Sequence, residues 1–192
     1  MASITAIKIC SNARQLCGET SIAAFEEDST GLTGNLWDMA RTSTLRLGTW
    51  SRSRRRALLS PTATPPAWGW AYEFILPPDC LRVVSVGETG ETIEYEHEDG
   101  RLLSDEASIK LRYVYDNTNP GTWDPVLVEA VTFHMAALVA YSITGSKSLQ
   151  DAMQANFAAV LEAARGINAE EAPVDSFGNN PLFAARSSGW GA

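Results

Sequence analysis

The chain has 192 residues, of which 45% are hydrophobic and 20% charged, and its formal net charge is −8. This length suits one domain with an extension, and the composition is that of an ordinary soluble globular protein with a core of its own. The acidic balance argues against a free-standing nucleic-acid-binding protein, which is usually basic, and against a polybasic membrane anchor.

Cysteine usage predicts a reduced protein that folds in a cytoplasm. Cys10, Cys17 and Cys80 are odd in number and lack CxxC spacing, so neither a disulfide framework nor a zinc ribbon is expected. Residues 1–18 lack the continuous apolar core of a signal peptide. The longest charge-poor run, Ala130 to Thr144, is shorter than the ~20 residues of a membrane span, so no membrane association is expected.

Helical spacing of apolar residues predicts a first helix over about 3–17, which Gly18 ends. A second helix is predicted over about 29–47, with Gly48 as its stop. Its start is weakened by Gly31 and Gly34, but three residues able to cap a helix are available there: Asp28, Ser29 and Thr30.

The middle of the chain, about 52–115, predicts a β-rich insertion. It begins with an arginine run and a proline-rich loop, Ser60 to Gly69. Alternating and β-branched residues then predict one small antiparallel sheet with turns at 77–79 and 98–100. The predicted strands are Tyr72 to Leu76, Leu81 to Val86, Thr92 to His97, Arg101 to Leu103 and Ile109 to Tyr115.

Two further helices follow. Asp124 can cap a helix over 125–144 with Pro125 at its first position, and that helix is apolar almost all round, which predicts burial. Ser148 and Asp151 predict a capping pair for a last helix over about 148–166, ended by Gly166. The sequence therefore predicts an α+β fold: a bundle of about four helices with a small antiparallel β extension.

The chain divides by composition into a single domain, 1–171, and a C-terminal arm, 172–192. The arm is rich in Gly, Asn, Ser and Pro and has no core of its own. Its bulky side chains therefore predict a contact with a partner, and they are Phe177, Leu182, Phe183 and Trp190.

No motif for catalysis, metal binding or cofactor binding is recognisable. His97 and His134 are interpreted as solvated or packed, and no HExxH, CxxC or GxSxG pattern occurs. The run 145–148 lacks the glycine spacing of a phosphate-binding loop. No catalytic residue, cofactor or metal is therefore expected.

Three surface features leave two interpretations open. The acidic run between Glu88 and Asp99 is either a solvated hairpin or a negative face toward a lumen or a basic neighbour. Loop tryptophans are either packed or anchors of an interface, and they are Trp50, Trp68, Trp70 and Trp123. The arginine run is either merely exposed or a contact with a neighbouring subunit or passing DNA, and the acidic balance favours the subunit. Its members are Arg52, Arg54, Arg55 and Arg56.

The order of elements resembles the tail tubular protein A family of podoviruses and related head-to-tail adaptors. The resemblance rests on the segment Ala71 to Val83, and on Leu111 to Tyr115 leading through Trp123-Asp124-Pro125 into the apolar helix. Trp50 at the end of the second helix adds to it. It spans about Ser3 to Ala169, and departs from the family after Gly18, where Glu19-Thr20-Ser21 replaces a GxxP loop.

The resemblance implies a structural protein of the phage neck, assembled in the host cytoplasm and without enzymatic activity. It implies a ring, usually of twelve copies, between the portal protein and the tail nozzle or tube, with DNA passing through the lumen without sequence-specific binding. It also implies that the C-terminal arm contacts the portal. Alternatives are another neck or tail-completion protein, a hydrolase using hairpin carboxylates, and a free-standing DNA-binding protein.

Overall fold

The computed structural model describes residues 4–48, 50–88, 91 and 93–171. Four helices flank a region of six strands, and the predicted α+β fold is confirmed. The helices are α1 (Ala6–Leu16), α2 (Leu32–Leu47), α3 (Pro125–Thr144) and α4 (Lys147–Glu171). The strands are β1 (Arg54–Leu59), β2 (Tyr72–Ile75), β3 (Cys80–Val86), β4 (Glu96–Glu98), β5 (Arg101–Ser104) and β6 (Ile109–Tyr115).

The strands form two three-stranded sheets, ordered β1-β6-β3 and β2-β5-β4. In the second sheet β5 is central and antiparallel to both neighbours, with Leu102 opposite Phe74 on one side and His97 on the other. The predicted single sheet is wrong, because β2 and β3 belong to different sheets, whereas the predicted turn between them is present at Pro78 and Asp79. Pro77 and Pro78 have no N–H to donate, so this connection joins the two sheets without extending either ladder.

Strand β1 was not predicted, because three consecutive arginines show no alternation of apolar and polar residues. It lies at the edge of its sheet, where charged side chains are common because they discourage pairing with other chains. Strand β4 is shorter than predicted and begins at Glu96. The predicted turn after it is confirmed, with positive φ angles of 45° at Asp99 and 71° at Gly100.

Two compact units divide the described chain. Unit 1 contains the helices and lies within Met1–Arg55, Pro78–Val83 and Tyr113–Ala169. Unit 2 contains the sheet β2-β5-β4 and lies chiefly within Arg56–Pro77 and Val84–Arg112.

Helix α3 is the centre of unit 1, where it packs against α1 and α2. Its bounds match the prediction, because the Asp124 carboxylate accepts the Leu127 N–H at 2.8 Å and Gly145 ends it with a φ of 67°. Helix α3 has 20 residues and is apolar enough to cross a membrane, so the expectation that the apolar run is too short for a membrane span is wrong. Half of its most apolar stretch is buried within the chain, and core helices of soluble proteins have the same length and composition.

Helix α4 begins and ends differently from the prediction. Ser146, not Ser148, caps it by accepting the Leu149 N–H at 3.2 Å, and Asp151 pairs with Lys147 at 3.0 Å instead. The helix continues past Gly166 to Glu171, because a glycine lowers helix propensity without stopping a helix.

Candidate interaction surfaces

The arginine run lies on a short 3-10 turn and on β1, and its side chains are exposed. Arg55 is the anchored member, because its Nη1 lies 2.7 Å from the Asp79 carboxylate and its guanidinium 3.6 Å from the Tyr115 ring centroid. Arg54 and Arg56 form no ion pair within the described residues. The run is therefore an exposed cationic edge, and the predicted subunit contact through it stays a prediction.

A groove in unit 2 was not foreseen from the sequence. It has a volume of about 590 Å³ and is formed by β1, β6 and the turn after β3. Three basic side chains, one acidic side chain and three apolar ones line it. We call this site the basic groove, and its residues are Arg56, Ala57, Leu58, Gly87, Glu88, Lys110, Leu111 and Arg112. Lys110 pairs with Glu88, and that hydrogen bond and charge hold the pKa of the Glu88 carboxyl below its usual value. Catalytic acids need the opposite direction of pKa change.

The loop tryptophans divide into two groups. Trp50 and Trp123 are buried in unit 1, where their indole N–H groups donate to the carbonyls of Thr44 (3.0 Å) and Asn117 (3.2 Å). Trp68, by contrast, is 86% exposed. For the first two the packed interpretation is confirmed, whereas Trp68 is exposed and the predicted interface contact through it stays a prediction.

The loop that carries Trp68, residues 60–71, is tied to the sheet of unit 2; we call it the Trp68 loop. The Thr62 N–H donates to the Glu73 carbonyl at 2.7 Å, and the Ala71 N–H to Asp105 at 2.9 Å. The Trp70 indole donates to Glu96 at 3.0 Å. The loop is therefore held on both sides of the exposed indole.

The acidic hairpin is also exposed. Glu94, Glu96, Glu98 and Asp99 are all on the surface of unit 2, on and beside β4. The carboxylates face solvent, so they do not form the enclosed pair that a hydrolase would need. The bulky anchors of the predicted arm, Phe177, Leu182, Phe183 and Trp190, lie outside the described residues.

The two histidines occupy different surroundings. His97 is exposed on β4, whereas His134 is half-buried on α3, stacks on Phe157 with centroids 4.4 Å apart, and has its Nδ1 2.9 Å from the Thr44 hydroxyl. Burial lowers the pKa of His134, although a backbone hydrogen bond with Ala40 opposes this. His134 is therefore a packed core residue.

This burial predicts a pH dependence of stability. Because the folded chain favours neutral His134, its contribution is complete above the ordinary pKa of 6.5 and falls as the pH drops below that value. We expect the unfolding temperature of His134→Gln to change less than that of the wild type between about pH 5 and about pH 8. The matched control is the exposed His97→Gln, which should keep the wild-type profile, and parallel profiles for all three proteins would contradict the prediction.

Two ion pairs in unit 1 were not predictable from the sequence, one of them buried and the other partly buried. Arg14 binds Asp28 at 2.9 Å, and Arg41 binds Asp116 through two nitrogens at 3.0 and 2.9 Å. Both arginines are 7% exposed. The residues of each pair come from different segments of the chain, so these pairs fix how the segments of unit 1 pack.

The thiols are arranged for packing. Burial, with the charge of Asp28 adding to it, raises the pKa of Cys10 to about 12, and burial also raises the pKa values of Cys17 and Cys80. A thiol with a raised pKa is a poor nucleophile. Among the described residues no group of three or more His, Cys, Asp or Glu side chains converges on a common point.

No protein-family model matches this chain, and no curated protein is significantly similar to it.

Proposed function

We propose that this chain is a structural head-to-tail adaptor of a tailed bacteriophage. It forms a ring, with twelve copies as the expected number, between the portal protein and the tail nozzle or tube. The ring surrounds the DNA conduit of the neck, and the protein has no enzymatic activity. The predicted arm around Phe177 to Trp190 is proposed to contact the portal, and Arg52 to Arg56 a neighbouring subunit.

The observation that carries this proposal is the set of large apolar side chains on the surface of unit 2. Trp68, Ile75 and Leu58 are each more than 60% exposed, and Tyr95 is 42% exposed. An exposed tryptophan is the strongest of these signs, because tryptophan is enriched among the residues that contribute most to protein–protein binding. The same unit carries separate basic and acidic surfaces, and different complementary faces on one subunit are what a ring requires.

The net charge fits a conduit for DNA. With a formal net charge of −8, the chain repels the phosphate backbone, so DNA can slide past without adhering. A free-standing protein that holds DNA usually has a net positive charge instead.

The test is the position and copy number of the chain in assembled particles. We expect electron microscopy of virions to locate it in the neck as a closed ring next to the portal, with twelve copies per particle. One or a few copies would favour the alternative of another neck or tail-completion protein. Its absence from purified virions would contradict the proposal.

A second test addresses the arm. Deletion of residues 173–192 should leave a soluble protein with an unchanged circular dichroism spectrum that no longer joins portal-bearing capsids. A second variant keeps the full length and replaces only the bulky side chains Phe177, Leu182, Phe183 and Trp190 with serine. We expect it to fail to join the capsids in the same way. Normal docking of either protein would refute the role of the arm.

A further inference from the structure

The basic groove is an open pocket lined by basic and apolar side chains. Arg56 and Leu58 alternate on the same face of β1, and Lys110 and Arg112 do so on β6. The volume of about 590 Å³ lies within the ~300–1,000 Å³ of ordinary binding pockets, so one indole ring fits inside. Leu58 is 69% exposed, so the apolar surface of the groove faces solvent. A suitable occupant is a flat aromatic group accompanied by negative charge.

The Trp68 loop offers that combination on the same chain. Its indole is 86% exposed and does not line the groove of its own copy. The Trp70–Glu96 hydrogen bond at 3.0 Å connects the loop to the acidic strand β4. Trp68 is therefore a protruding aromatic side chain, which we call the knob. Glu96 and Glu98 supply negative charge on the strand to which its loop is tied, and Glu94 lies just before that strand.

We propose that the Trp68 loop of one copy inserts into the basic groove of a second copy. The indole packs on Leu58 and under the guanidinium of Arg56, where a cation–π contact adds to the burial of apolar area. The carboxylates beside β4 then face the groove, where three basic side chains outnumber the single carboxylate of Glu88, so the charges of the two surfaces are complementary.

Two features favour a second copy over an unrelated partner. The knob combines an aromatic ring with nearby carboxylates, and the groove combines apolar side chains with an excess of basic ones, so the two surfaces are complementary in charge and in hydrophobicity. The loop is also held by hydrogen bonds from Thr62 and Ala71, so little conformational entropy is lost on insertion. Because knob and groove are different surfaces, the contact is head-to-tail and generates a ring when its rotation closes. In this respect the inference rests on the proposed ring function and names one of its contacts.

The experiment uses the purified full chain without portal or phage. Sedimentation velocity up to about 1 mM protein should detect self-association of the wild type that weakens with salt. Trp68→Ala removes the knob and R56E/L58E blocks the groove, and each variant alone should associate at least about tenfold more weakly. All three side chains are exposed, so circular dichroism should confirm an unchanged fold.

Mixing the two variants gives the decisive result. Trp68→Ala keeps an intact groove and R56E/L58E keeps an intact knob, so an equimolar mixture should form a 1:1 dimer that does not grow further. Tyr141→Ala, an exposed aromatic residue of unit 1, is the matched control and should associate like the wild type.

Three results would overturn the contact: a wild type that stays monomeric throughout, a Trp68→Ala variant that associates normally, or a mixture without dimers. If rings form in virions although Trp68→Ala associates normally, the proposed function stands and this contact does not. If the mixture dimerises but virions lack the chain, the contact stands and the phage role does not.

Discussion

Replacing Asp28 with alanine is expected to destabilise the chain by about 3–5 kcal/mol. The substitution removes the buried partner of Arg14, which keeps only the partly exposed Glu19 at 3.3 Å, and it leaves the donors of Thr30 and Thr33 without their acceptor. The Asp28 side chain is 0% exposed, and its carboxylate lies 2.9 Å from Arg14 Nη1. It also accepts the N–H and hydroxyl of both Thr30 and Thr33 at 2.6–3.1 Å, which places it directly before the first turn of α2. A loss of this size is a large fraction of the usual 5–15 kcal/mol stability of a domain.

The pH dependence of the same site has a defined sign. Burial alone would raise the pKa of Asp28, but the hydrogen bonds from Thr30 and Thr33 outweigh it and hold that pKa well below the usual 3.8. Its stabilising contribution is therefore complete above the usual carboxyl pKa and is lost as the pH falls below it. Asp28→Asn should lose stability at neutral pH and also show a shallower decline in acid.

Urea unfolding at neutral pH, followed by circular dichroism, measures the effect. Asp38→Ala is the matched control, because Asp38 also pairs with an arginine, Arg41 at 2.6 Å, but is 79% exposed. Because Asp38 is solvated and Arg41 keeps its pair with Asp116, removal of the Asp38 carboxylate should cost at most about 1 kcal/mol. Equal losses for the two variants would mean that burial of the Arg14–Asp28 pair contributes nothing.

Elements with their own local signals could be predicted from the sequence. Helix α3 has an Asp-Pro start and a glycine end, and β6 alternates from Ile109 to Tyr113, so the sequence predicts the bounds of both elements to the residue. Strand β1 has no such signal, because its first three residues are arginines and its partner β6 is distant in sequence. The division into two sheets likewise depends on pairing between distant segments, which local periodicity does not report.

The candidate surfaces were predictable only in part. Sequence reasoning treats Trp50, Trp68 and Trp123 alike, since each lies beside a loop, and tertiary packing alone separates the exposed one from the buried ones. The alternation of Lys110 and Arg112 along β6 indicates a basic face from the sequence alone. Their position beside Arg56 could not be predicted, because it follows from the pairing of β1 with β6.

Two glycine-to-alanine substitutions are expected to change stability in opposite directions. Gly48 follows α2 with a φ of −100°, which any residue can adopt, so its requirement is for space. A Cβ there would lie closer than 3.0 Å to three atoms of the Trp50 indole. Trp50 is 1% exposed and bound to the Thr44 carbonyl, so the ring cannot move aside. Gly48→Ala should therefore cost about 1–3 kcal/mol or more, as overpacking of a core does.

Gly166 is the matched control for this substitution. It lies within α4, and a Cβ there meets no atom within 4 Å. Alanine is the better helix former by up to about 1 kcal/mol, so Gly166→Ala should stabilise the chain. The urea midpoints of the two variants, read by tryptophan fluorescence, should move to opposite sides of the wild type. A Gly48→Ala variant as stable as the wild type would mean that Trp50 has room to shift, and the end of α2 would then not be fixed by this contact.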